Sequence, residues 1–122
     1  VSVNKKRAQN ILNKYIKLLN LGRFDITLKF EKEDNKNGAA GECRIDYKYL
    51  WAEVTLFPCA FIKPNDLEHI IVHELCHIIV DPLYLYCFDL MNGRFRTGDQ
   101  IENERENAVE MITKAVLKKV KE

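Results

Sequence analysis

No apolar run in this chain approaches the ~20 residues that a membrane-spanning helix needs. Its opening stretch, VSVNKKRAQN, also lacks the apolar segment of a signal peptide. There is no CxxC pair. The four cysteines, Cys43, Cys59, Cys76 and Cys87, lie scattered in apolar surroundings, which fits buried free thiols better than a disulfide framework. Neither sign of charge prevails: 19 Lys and Arg face 18 Asp and Glu, for a net charge of +1. That balance argues against strong attraction to nucleic acid or anionic lipid through this domain. Two basic clusters, NKKR and KKVK, fall on expected helix ends and read as solvated surface. Internal repeats and low-complexity tracts are absent. A cytoplasmic protein with no membrane segment is expected.

What remains is an ordinary globular composition, with 47% apolar and 30% charged residues in 122. That length supports one hydrophobic core, so a single domain over 1–122 is expected. Residues 3–20 carry Ala8, Ile11, Leu12, Tyr15, Leu18 and Leu19 at helical spacing, with Gly22 placed to end the helix. RFDITLKFEKE alternates, with Phe24, Ile26, Leu28 and Phe30 on one side. After the turn-rich DNKNGAAG, the segments ECRIDYKY and WAEVTLF alternate again. Three strands joined by short links predict an antiparallel meander. Asn65 with Glu68 reads as a capping box, and the helix behind it is expected to stop near Val80, because Pro82 disfavours a helical Asp81. Residues 81–98 read as a partly irregular loop. A last helix over about 99–120 is expected to bury Ala108, Val109, Ile112, Val116 and Val120. The class is α+β.

The second helix contains IIVHELCHIIV, residues 70–80, and is apolar nearly all round, as a buried helix is. Within it stand two imidazoles and a carboxylate, groups that are costly to bury unless they are paired. Four positions make a little over one turn, so His73 and His77 project from one face and can meet a single zinc ion. Glu74 is one residue round, beside the ion but poorly placed to ligate it, where a base acting on zinc-bound water belongs. His69 extends the series, but eight residues of helix rise about 12 Å, too far to share the same ion. A surface or supporting role suits it better.

The pattern HELCH resembles the HExxH motif of the zincin metallopeptidases. That resemblance implies His73 and His77 as zinc ligands and Glu74 as general base. The metzincin extension fails, since Val80 and Leu83 stand at its glycine and histidine positions and no histidine follows His77. In thermolysin-like gluzincins the third ligand is a glutamate on a later helix, with an acidic residue four positions on behind it. ENAVE repeats that pattern, with Glu106 as ligand and Glu110 as support, and Glu102 is the alternative ligand. Asp81 and Asp89 are weaker candidates.

The order helix, three strands, histidine helix, loop, ligand helix is similar to the minimal core of phage-type and SprT-like peptidase domains. The resemblance implies a zinc-dependent peptidase acting on a peptide or protein substrate. WAEVTLF would be the sheet edge that holds the substrate, and Tyr84, Tyr86, Arg94 or Arg96 would steady the oxyanion. A second reading stays open: a zinc-binding regulatory or interaction module of the same fold, catalytically silent, acting near DNA. Oligomeric state is not encoded in these signals.

Overall fold

The computed structural model describes residues 2–91 and 98–121. The chain comprises two compact units, residues 1–75 and 76–122. The first unit opens with α1 (Ser2–Leu18), which buries Ala8, Leu12 and Tyr15 and leaves Leu18 exposed. Asn20, not Gly22, takes the left-handed conformation that closes this helix, with φ 57°. The Leu21 N–H reaches the Ile16 carbonyl at 2.9 Å and the Asn20 N–H reaches that of Lys17 at 3.2 Å, the paired bonds of a Schellman cap.

Three strands follow, β1 (Asp25–Phe30), β2 (Gly41–Asp46) and β3 (Trp51–Leu56). They lie in the order β1-β3-β2. The β2–β3 pair is antiparallel, as expected, and its turn is tied by Asp46, whose carboxylate accepts the N–H groups of Lys48 and Tyr49. β1, however, pairs with β3 in parallel, from Asp25 opposite Trp51 to Phe30 opposite Leu56. The sheet is therefore mixed rather than an antiparallel meander. Alternation records which side chains share a face and is blind to strand direction. The link over 31–40, with a turn at Gly38 (φ 77°), is long enough to carry β2 past β1 to the far side of β3. WAEVTLF is consequently the central strand, paired on both sides, and cannot be the edge that holds a substrate. Among the described residues the open edges belong to β1 and β2.

After a short 3-10 turn, Pro58–Phe61, the long helix α2 runs over Asp66–Met91. In the first unit it buries Leu67, Ile71, Val72 and Leu75. Its carboxylate at Glu68 accepts the hydroxyl of Tyr15 at 2.8 Å, which ties it to α1. Gly41, at the start of β2, lies so close to α2 that a Cβ there would stand 3.1 Å from both Ile70 Cγ2 and Glu74 Cγ.

The expected stop near Val80 does not occur: α2 continues through Pro82, and residues 81–91 are helical rather than loop. A proline within a helix removes one backbone donor and biases the residue before it. Here Asp81 is held by two side-chain partners, His77 and Arg105, and these offset the bias. The turn at MNG and the segment 92–97 lie largely outside the described residues. α3 (Gly98–Lys121) then returns antiparallel to α2, since His77, Asp81 and Cys76 meet Glu106, Arg105 and Thr113 respectively.

The buried stripe of α3 runs through Val109, Thr113 and Leu117, with Ala108, Ile112, Val116 and Val120 half-buried beside it. Thr113 sits in that stripe because its hydroxyl donates to the Val109 carbonyl at 2.8 Å, satisfying its polar atom locally. Ile79, expected in the core, is 45% exposed. Cys43, Cys59 and Cys76 are free thiols, as expected, although only Cys76 is fully buried. No helix among the described residues is long and apolar enough to cross a membrane.

Candidate metal centre

α2 is continuous from Asp66, so His73 and His77 stand one turn apart on the same helix. One ligand atom each from His73, His77 and Glu106 lies within 4.8 Å of the others, close enough to share one ion. Of the two acidic candidates on α3, it is Glu106 that joins the histidines. Glu102 is half-exposed and pairs with Arg105 at 3.9 Å. His69 is half-buried and stands outside the cluster.

The surroundings of His77 test whether a cation suits this place. Its Nδ1 is 3.0 Å from Asp81 Oδ1, and its Nε2 is 3.3 Å from Glu106 Oε2. A carboxylate only accepts, so Nδ1 carries the hydrogen and donates to Asp81. A neutral imidazole then turns a lone pair at Nε2 towards a carboxylate oxygen, and the two repel unless something positive lies between them. Either a second proton or a metal ion satisfies that geometry. Two ligands bound to a tetrahedral zinc ion at ~2.0–2.1 Å stand about 3.3–3.4 Å apart, which matches the observed gap. The donor set of two imidazoles and a carboxylate is one that zinc accepts at catalytic sites. The residues fit a divalent metal.

Arg105 binds behind both acids. Its Nε and Nη2 donate to Glu106 Oε2 at 3.2 and 3.1 Å, and Nε is 3.7 Å from Asp81 Oδ1. The guanidinium lies over the Tyr84 ring, 4.2 Å from its centroid. Burial works to lower the Arg105 pKa, but the charges of Asp81 and Glu106 outweigh it and push it up, so the cation is secure.

Glu74 is buried, 7% exposed, and its carboxylate lies against Gly41, where an added Cβ would stand 3.3 Å from Oε2. Cys76, on the same turn of α2, is not part of the cluster. Burial pushes its thiol up, against a hydrogen bond with Thr113, and the nearby charge of Glu110 adds to the upward shift. Such a thiol is inert rather than ligating. Glu110, expected behind the ligands, is half-buried near this thiol. The side chains of Tyr86, Asp89, Arg94 and Arg96 lie outside the described residues.

Arg105 is therefore a partner that the sequence does not announce, and Asp81, a weaker ligand candidate there, stands outside the cluster and binds His77 Nδ1 instead. The signal for Asp81 was present, since it follows His77 by four positions. It becomes meaningful only if the helix survives Pro82.

The arrangement His73-Glu74-x-x-His77 with Glu106 from a later helix matches a minimal gluzincin-like HExxH site. Comparisons with protein-family models, with curated proteins and with solved structures find no match for this chain.

Proposed function

We propose that this chain is a cytoplasmic zinc-dependent metallopeptidase, working as one domain over residues 1–122. The observation that carries the reading is the convergence of His73, His77 and Glu106 beside a buried Glu74. His73, His77 and Glu106 would hold zinc, and Glu74 would be the general base. A bound zinc ion supplies Lewis acidity, drawing the pKa of a water towards neutrality and polarising a substrate carbonyl.

The chain's own residues would do the rest. Glu74 takes the proton of the attacking water and later hands it to the leaving amine. Its burial, with Gly41 against its side chain, restricts the carboxylate to few positions, as an efficient base requires. Asp81 fixes the tautomer of His77, so that Nε2 faces the ligand position. An extended peptide would lie along the open edge of β2 by strand addition. Gly41 begins that strand beside the base, which favours β2 over the other free edge.

The reading is tested with the zinc-loaded protein and a peptide library. Hydrolysis is expected from the unchanged chain, and Glu74→Gln is expected to retain zinc while losing ~10²–10⁴ in rate. Equal hydrolysis by the two proteins would overturn the role of Glu74. A zinc-loaded wild-type chain that cleaves nothing would leave the silent zinc-binding module in its place.

A further inference from the structure

We propose that Arg105 is the positioning residue of the metal centre, locking Glu106 and, through Asp81, His77 into a shared ligating geometry. The inference rests on the reading of His73, His77 and Glu106 as metal ligands. It adds the element that makes a flexible surface glutamate into a fixed donor.

Glu106 is a long side chain, 42% exposed. Left alone, it would sample many rotamers, and fixing it on metal binding would cost conformational entropy. An exposed ion pair by itself holds such a side chain weakly. Arg105 is in a different position. Its own side chain is 21% exposed, and its plane rests on Tyr84. A planar guanidinium fixed in that way presents its donors in a set direction. Two of them converge on Glu106 Oε2, the same oxygen that stands 3.3 Å from His77 Nε2.

The far side of the guanidinium faces Asp81, which accepts from His77 Nδ1. His77, Asp81, Arg105 and Glu106 thus form a closed ring of side chains. Two carboxylates flank one imidazole in this ring, and the Arg105 cation offsets their mutual repulsion. A lysine could supply the charge, but it is a point charge without the planar fork, and it stacks less well on an aromatic face.

The test measures zinc affinity by chelator competition, with the visible spectrum of the cobalt-substituted protein as a second readout of ligand geometry. Arg105→Met is expected to weaken zinc binding by ~10–100-fold and to alter the cobalt spectrum. Arg105→Lys should restore part of the affinity, whereas Glu104→Gln, at an exposed neighbouring position, should leave it unchanged. A purely structural role would lower the thermal stability of the metal-free protein without this pattern. If Arg105→Met does not fold, Tyr84→Leu removes the platform and keeps the guanidinium, and weaker zinc binding is again expected. Affinity in Arg105→Met, or in Tyr84→Leu where that variant stands in, equal to that of the unchanged chain would overturn the proposal and leave the metal ligands intact. Failure of the unchanged, folded chain to bind zinc would instead overturn the metal reading, and the positioning role with it.

Discussion

Asp81 accepts the Nδ1 hydrogen of His77 at 3.0 Å from one helical turn further along α2. The bond decides which ring nitrogen is left to face Glu106, and it depends on a helix that continues through a proline. Removing the charge while keeping the size tests it. Asp81→Asn is expected to weaken zinc binding by ~10–100-fold, read by chelator competition. Unchanged affinity would mean that the orientation of His77 is fixed by other contacts.

Gly41 is the position where β2 and the proposed base compete for space. A Cβ at 3.1 Å from Glu74 Cγ and Ile70 Cγ2 forces those side chains to give. Overpacking of this kind typically costs about 1–3 kcal/mol. Gly41→Ala should therefore lower the thermal midpoint and reduce kcat in a peptidase assay, while zinc affinity stays as it was. A variant with full activity would show that Glu74 tolerates displacement.

The histidine pair and the glutamate of α3 were legible because their signals are local. Imidazoles four apart in an apolar helix are costly to bury unless both find a partner, and one ion on their shared face would supply it. Glu106 stands just before the apolar run of its helix. The parallel pairing of β1 was not legible, because Ile26 and Leu28 point to one face whichever way their neighbour runs. Pro82 misled for a different reason. Its local bias is real, but Asp81 meets His77 only if the helix continues, and it gains Arg105 only once α3 has folded back, a gain invisible along the chain. The same long-range step conceals Arg105, which in sequence is one more charge in a charged segment.

The buried hydroxyl of Tyr15 provides a prediction about stability. Burial, with the hydrogen bond to Glu68 and its charge, pushes the Tyr15 pKa well above its ordinary value. The folded state thus favours the protonated phenol. Its stabilising contribution is complete below the ordinary tyrosine value of about 10 and drains away as pH rises beyond it. Tyr15→Phe should cost about 0.5–3 kcal/mol at neutral pH, since it removes a bond to a carboxylate. The variant should also flatten the alkaline decline measured by urea unfolding across that range. An identical alkaline slope in both proteins would contradict the assignment.

Two imidazoles and one carboxylate are proposed to hold zinc, with no sulfur donor. Zinc X-ray absorption on the zinc-loaded chain identifies those donors. Nitrogen and oxygen neighbours only are expected, at ~2.0–2.1 Å, with the imidazole scattering of two histidines. A sulfur neighbour at ~2.3 Å, or scattering from fewer than two imidazoles, would contradict it.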